Sequence, residues 1–130
     1  TRFGNVYGGG DWNQNRIVPG AILSLAKGKP PVIRSDGTPL RDYIYVEDVA
    51  EGYLRLAEKL DDAAVVGQAF NFSHGKPVSV LEIVDVIRRL LGREEIQPLI
   101  RNTAKAEIPR CFGASWSVRA STRHQSATSE

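Results

Sequence analysis

Along this chain the spacing of apolar and polar positions changes several times, and each change marks an element. The longest organised stretch is Ser35–Ala57, SDGTPLRDYIYVEDVAEGYLRLA. Val46, Val49, Ala50, Tyr53, Leu54, Ala57 and Leu60 recur at helical spacing and paint one apolar face. Glu47 and Asp48 fall in the first turn of that helix, and Arg55 and Lys59 near its end, each with the sign the helix dipole favours. Just before it, Tyr43–Val46 is β-rich and short, which predicts a strand. Asp36-Gly37-Thr38-Pro39 is turn chemistry: Gly supplies a positive φ, Pro fixes one, and Asp bonds its own backbone.

The remaining elements follow from the same patterns. Thr1–Tyr7 predicts a strand leaving through Gly8-Gly9-Gly10-Asp11. The three glycines make either a flexible loop or a close backbone approach to a ligand, but not a dinucleotide fingerprint. A second helix is predicted from Ile17 or Val18, with Ile17, Ile22, Leu25 and Ala26 apolar, Pro19 in its first turn and Gly28 as its stop. Val32–Arg34 is a short strand after Lys29-Pro30-Pro31, with Val32 and Ile33 read as core filler. Lys59–Gly67 is a linker, and Ala69–Phe72 alternates as a half-buried strand. Ser79-x-x-Glu82 is a capping box with Val78 and Ile83 at the staple positions. The helix it opens carries Val80, Val84, Ile87, Leu90 and Leu91 on its apolar face, Arg88 and Arg89 in its last turn, and Gly92 as its stop. Ile96–Ile100 is the last predicted strand. Three helices interleaved with short strands give a small α/β unit.

Composition narrows the class. A chain of 130 residues with 42% hydrophobic and 25% charged positions is one small globular domain or part of a larger one. A net charge of +2 with no basic stripe argues against nucleic acid. No apolar run reaches the length of a membrane span, and no signal-peptide pattern opens the chain. Cys111 is the one cysteine, so there is neither a disulfide framework nor metal-ligand spacing, and a cytoplasmic setting is the default. The chain contains no methionine and opens at Thr1 as if within a strand, which predicts a piece of something longer. Residues 111–130, rich in Ser, Thr, Ala and Arg without a sustained period, divide from residues 1–110 as a disordered or non-native tail.

Two arginines and two polar residues invite a chemical reading. Arg41 stands between turn and strand, where a held guanidinium can grip a phosphate with two parallel hydrogen bonds, or simply pair with Asp42 or Glu47 at the surface. Arg16 precedes a helix N-terminus, where an anion is welcome, or it is a solvated side chain. His74 has no Ser or Asp partner at a suggestive spacing and reads as a surface residue. Asn71, within a strand, reads as structural.

The run GTPLRDYIYVEDVAEGYL resembles the C-terminal half of the nucleotide-sugar epimerases and dehydratases, the extended branch of the short-chain dehydrogenase/reductases. RFGNVYGGGDW resembles the segment after the sixth strand of their nucleotide-binding domain: Asn5, Tyr7 and Gly8 match, while Gly9 replaces a frequent Pro. Its Gly-Gly-Gly-Asp-Trp form is most similar to the CDP-glucose 4,6-dehydratase group, and NRIVP matches a third family pattern. The resemblance covers about residues 1–110 and implies the C-terminal portion of a Rossmann-type fold, a substrate-binding unit with an incomplete N-terminal sheet.

It also implies roles. Arg41 and Arg16 would touch the substrate diphosphate. Asn5 would donate to substrate and, with Tyr7, lie near the nicotinamide of NAD. The strand holding Ile33 would lie along the nucleotide base, Asn71 would be a further contact, and Arg110 (or Arg101 or Glu107) would complete the nucleotide pocket. Relatives are often homodimers through helices of their other half. None of Tyr7, Tyr43, Tyr45 and Tyr53 has Lys four residues on, so the family's catalytic Tyr-Lys pair is expected outside this chain, as is its Gly-rich turn, which would leave NAD held mainly by the other half. The expected function is therefore binding of a nucleotide-diphosphate sugar within a 4,6-dehydratase, with a 4-epimerase or a non-catalytic sugar-nucleotide-binding module as the alternatives. Exposed apolar surface and self-association of the isolated chain follow from the missing sheet.

Overall fold

In the computed structural model the described residues are 1–103, together with the backbone at positions 110 and 111. The elements in order are β1 (Arg2–Phe3), β2 (Asn5–Tyr7), α1 (Ile17–Ala26), β3 (Val32–Ile33), β4 (Leu40–Arg41), β5 (Tyr43–Tyr45), α2 (Val46–Ala57), β6 (Asn71–Phe72), β7 (Val78–Ser79), α3 (Val80–Leu90), β8 (Leu99–Ile100) and β9 (Arg110–Cys111). The fold is α/β, with three helices and short sheets among the described residues.

The opening strand expected over 1–7 is divided. β1 pairs in parallel with β6 (Arg2 opposite Asn71), whereas β2 pairs in parallel with β5 (Asn5 opposite Tyr43). The change of partner falls at Gly4, where a Cβ would collide with the Asp42 carbonyl oxygen and lie 3.2 Å from its carboxyl carbon. The next amide, Asn5 N–H, donates to that same carbonyl at 2.6 Å. A glycine is required because two backbones meet there.

The core lies between α1, β3 and α3. Ala21, Leu25, Ile33, Val80, Val84 and Ile87 form one buried cluster, edged by Ile17, Val18, Leu81, Ile83 and Ile96. The buried pair on α1 is Ala21 and Leu25, one turn apart, and Ile22 lies outside it with 41% of its surface exposed. On α3 the covered face ends at Ile87, and Leu90 is 80% exposed. Burial there falls instead on Arg88, whose Nη1 donates to Asp85 Oδ1 at 2.6 Å while Nη2 donates to the Glu94 carbonyl.

The local punctuation is as the residues dictate. Ser79 Oγ accepts from Glu82 N–H at 3.1 Å, and Glu82 Oε2 accepts from Ser79 N–H at 2.6 Å, closing the capping box. Asp36 Oδ1 accepts from the N–H and the hydroxyl of Thr38 at 2.9 and 2.8 Å. Those bonds, the backbone one first, hold the Asp36 carboxyl below its ordinary value. Gly37 has φ +89°, and a Cβ there would sit 2.6 Å from Leu81 Cγ, so the turn and α3 fit only around glycine. α2 stops at Ala57, which leaves Leu60 beyond the helix and exposed.

Candidate functional site

A groove of about 690 Å³ runs along the N-terminal half of α1. One wall is the lead-in to α1 and its first turns (Gln14, Asn15, Arg16, Ile17, Gly20). The other is the end of β3 and its exit (Val32, Arg34, Ser35), with Asn5, Arg41 and Tyr43 from the neighbouring strands. A smaller cleft of about 200 Å³ shares Asn5, Arg16, Ile17 and Tyr43 with it and adds Tyr7 and Asp11.

The segment between the glycines and α1 is built from side-chain turns. Asp11 Oδ1 accepts from Asn13 N–H at 3.1 Å, and Asn13 Oδ1 accepts from Asn15 N–H at 3.0 Å. Such turns give a chain without secondary structure a definite path. Arg16, the N-cap residue of α1, closes it: Nη1 donates to Asp11 Oδ2 at 2.9 Å, and Nη2 donates to the Val6 carbonyl on β2. The guanidinium is thus fixed at the junction of groove and cleft. Gly20 makes the approach possible, since a Cβ there would lie 2.6 Å from the Gln14 carbonyl oxygen.

Arg41 is partly buried, with Nη1 on the Leu40 carbonyl at 2.9 Å. The pairing with Asp42 considered from sequence is not made. Asp42 is only 2% exposed, and its carboxylate oxygens meet no hydrogen-bond donor among the described residues. Glu47, the other partner considered, accepts from the Tyr45 hydroxyl at 3.4 Å.

Of the residues singled out in the sequence, Asn5, Arg16 and Arg41 come together in the groove and Tyr7 lines the adjoining cleft. Ile33 points into the core with no exposed surface, and its carbonyl accepts from Arg101 N–H at 2.8 Å; its neighbour Val32 is the groove-lining residue. Asn71 lies on β6, opposite Arg2, and is absent from the groove wall. Arg110 is placed only by its backbone, beside Leu40 in parallel pairing. The alternative Glu107 and most of the 111–130 tail lie outside the described residues. His74 is half exposed, with Nε2 3.5 Å from Asp48 Oδ2, a partner its sequence spacing does not reveal.

Arg34 is the groove residue that sequence reasoning missed. It follows β3, where alternation alone suggests a solvent-facing side chain, yet Nη2 reaches the Asn15 carbonyl at 2.8 Å on the opposite wall. With Arg16 and Arg41 it brings to three the guanidinium groups lining this groove, and no carboxylate lines it among the described residues. Such a surface attracts anions and can hold a phosphate by charge-assisted bonds.

A model of the NAD dependent epimerase/dehydratase family matches residues 1–72. This chain belongs to that family. The UDP-glucose 4-epimerase 4 of Oryza sativa subsp. japonica is 34% identical over 130 residues, covering 85% of this chain and 35% of the relative. A trifunctional UDP-glucose 4,6-dehydratase of Arabidopsis thaliana is 32% identical over 94 residues, covering 72% of this chain and 13% of the relative. The chain thus spans about a third or less of these curated relatives. Among solved structures, a UDP-glucuronic acid 4-epimerase variant from Bacillus cereus superposes with a TM-score of 0.71 at 22% identity, over 85% of this chain and 34% of the other. The dTDP-glucose 4,6-dehydratase of Bacillus anthracis gives 0.67 at 21%, over 84% and 33%. Both share the fold with this chain.

The family is NAD dependent by name, and a dinucleotide would need a helix start open to its pyrophosphate. α1 opens on Arg16 and carries Pro19 in its first turn; α2 opens with Glu47 and Asp48; α3 has its first amides occupied by the Ser79–Glu82 box. None of these three starts is a glycine turn that cradles a pyrophosphate. Asn5 and Tyr7, the pair expected near the cofactor, both line the smaller cleft.

Proposed function

We propose that the groove binds the diphosphate of a nucleotide sugar, and that this chain is the substrate-binding part of an NAD-dependent nucleotide-sugar epimerase or dehydratase. The observation that carries the reading is the groove itself: three arginines on its walls, no carboxylate among its described lining residues, and room for more than a phosphate. Arg16 and Arg41 grip phosphate oxygens in this reading, and Asn5 donates to the sugar side. Val32, the β3 side chain that lines the groove, faces the base in this reading. When bound, NAD supplies hydride exchange with the sugar; this chain's part is to hold the sugar nucleotide, with Asn5 and Tyr7 bordering the cofactor and the dinucleotide held mainly outside this chain.

The curated relatives described above, one named a 4-epimerase and one a trifunctional 4,6-dehydratase, support the epimerase and the dehydratase readings alike. The CDP-glucose 4,6-dehydratase reading is carried by Gly8-Gly9-Gly10-Asp11-Trp12 alone. Residues 1–110 make up the binding unit in this proposal, and a cytoplasmic homodimer is the assembly it assigns to the full-length enzyme. No helix among the described residues is long and apolar enough to cross a membrane.

The test is calorimetric titration of the full-length protein with UDP-glucose, CDP-glucose and inorganic pyrophosphate. Arg41→Ala should weaken binding of the preferred sugar nucleotide by about tenfold or more, since a hydrogen bond to a charged group is worth about 1.5–3 kcal/mol. Unchanged affinity would return Arg41 to a structural role. Preference between the two sugar nucleotides separates the readings of the base.

A further inference from the structure

We infer that Arg34 is a positioning residue: it latches the two walls of the groove together and thereby holds the loop that presents Arg16. The inference deepens the binding role proposed above, and its latch half stands on geometry alone.

Arg34 leaves the end of β3, whose backbone is fixed by pairing with β8 (Val32 opposite Leu99, Ile33 opposite Ile100). The Arg34 carbonyl accepts from Thr103 N–H at 2.7 Å, so the base of the side chain is tied down. From that anchor Nη2 spans the groove to the Asn15 carbonyl at 2.8 Å and stands 3.3 Å from the Asn15 side-chain oxygen. Asn15 belongs to the segment 11–16, which carries no regular secondary structure. Its other ties run through Arg16, which holds Asp11 at the glycine end and the Val6 carbonyl on β2. The segment is therefore held by Arg34 from the opposite wall and by its own Arg16. Arg16, next in sequence to Asn15, is placed by these ties together.

This explains an arginine at an exposed position after a strand, where neither packing nor ion pairing calls for one. A guanidinium can meet two acceptors with a fixed fork, which a lysine ammonium on a flexible stem does not reproduce. Releasing Asn15 would leave Arg16 held by Asp11 and the Val6 carbonyl without the brace from the β3 wall, and an anion entering the groove would meet a less firmly placed cation. The ordering would then be taken from the binding free energy.

Two measurements on the full-length protein decide this. The first needs no ligand: amide hydrogen exchange over residues 13–17 should quicken by about tenfold or more in Arg34→Ala and by less in Arg34→Lys, because a lost charge-assisted bond is worth that much, while exchange within α3 stays unchanged. Unaltered exchange at 13–17 overturns the latch. The second is a double-mutant cycle read by calorimetry with inorganic pyrophosphate. Arg34→Ala should weaken binding severalfold in the native background and less than about twofold when Arg16 is already Ala, the signature of coupled residues. Equal factors in both backgrounds would make Arg34 an independent anion contact and overturn the positioning role. A native protein that takes up neither pyrophosphate nor a sugar nucleotide would sink the binding proposal, while the exchange result would still decide the latch.

Discussion

α2 and α3 are alike as sequences and unlike as parts of a molecule. Each begins directly after a short strand, carries acid in its first turn and arginine in its last, and has a strong apolar stripe. On α3 the stripe is covered: Val80, Val84 and Ile87 are buried against the α1–β3 side. On α2 the buried residue is Gly52, while Tyr53 is 52% and Leu54 66% exposed. What α2 does touch, it touches closely. A Cβ at Gly52 would lie 3.0 Å from Phe72, and one at Gly8 would overlap Val46. Phe72 in turn stacks on Phe3 at 4.8 Å, with Tyr53 5.0 Å from Phe3. Amphipathic spacing thus fixes which side of a helix is apolar; whether that side is covered depends on the surface opposite. For α3 this is α1, which brings Ala21 and Leu25. For α2 it is two short parallel strand pairs, a kind of sheet that is stable when both faces are covered.

The sharpest way to break the comparison is to remove a methyl-rich side chain from the covered region. Leu25→Ala should lower stability by about 2–5 kcal/mol, the range for cavities in packed cores. Leu25 has no exposed surface, and the cavity would open between α1 and α3. Urea denaturation followed by circular dichroism measures it. A loss under about 1 kcal/mol would mean that the α1–α3 core does not control unfolding.

Next in size is Gly20→Ala. The new Cβ meets a backbone oxygen, that of Gln14 at 2.6 Å, and backbone yields less readily than a side chain. Overpacking of this kind costs about 1–3 kcal/mol. Because Gln14 belongs to the loop that presents Arg16, pyrophosphate affinity should fall together with stability. A stable variant with native affinity would show that the loop shifts without cost.

The covered region was also the more legible in sequence. The Ser79–Glu82 box, the Val80–Val84–Ile87 stripe and the Asp36–Gly37 turn all depend on residues within a few positions of one another, so local chemistry specifies them. Asn5, Arg16 and Arg41 were readable through motif resemblance, and the chain does gather them in one groove. What the sequence hid is non-local. The division at Gly4 arises from Asp42, Arg34 acquires its partner from α1's lead-in, and His74 meets Asp48 across a separation of 26 positions. Ile33 shows the limit from the other side: a strand can border a groove while alternation turns a given side chain into the core. Ile22 and Leu90 were placed on apolar faces by spacing, but each sits one step around the helix from the residues that α1 and α3 press together.

A smaller effect separates the two helix starts. α3 has a side-chain cap and α2, which opens on Tyr45, has none. Ser79→Ala should cost about 1 kcal/mol, the usual value of such a cap. It should also move the Glu82 carboxyl. The hydrogen bond from Ser79 N–H, and then that with its side chain, hold Glu82 below its ordinary 4.5. A carboxyl with a depressed folded value adds stability above its unfolded value and loses it as pH falls through the folded one. Stability of the native chain should therefore decline with acid below about pH 4.5 through this group, and Ser79→Ala, which removes the side-chain bond and keeps the backbone N–H, should flatten that part of the profile in part. An NMR titration in which the Glu82 carboxyl of the variant keeps its native midpoint would detach the shift from the cap.

The smallest effect on stability belongs to the uncovered helix, where it tests the other half of the comparison. Leu54→Ser and Leu60→Ser replace side chains 66% and 61% exposed, so each should change stability by no more than about 0.5 kcal/mol. Leu60 lines a groove of about 460 Å³ together with Tyr53, Leu56, Val65, Val66 and Phe70, and Leu54 is next in sequence to Tyr53. Apolar surface of this kind drives association when it is left in water. Sedimentation velocity of the 130-residue chain should show concentration-dependent association that the double Ser variant reduces. If the native chain stays monomeric at high concentration and binds no apolar dye, the strand pairs and the 60–68 turns cover α2 well enough, and its lesser burial would be a matter of degree. If association falls in the double variant while the unfolding midpoint holds, the two helices differ in kind: α3 is completed by this chain, and α2 is an apolar face awaiting a surface from elsewhere.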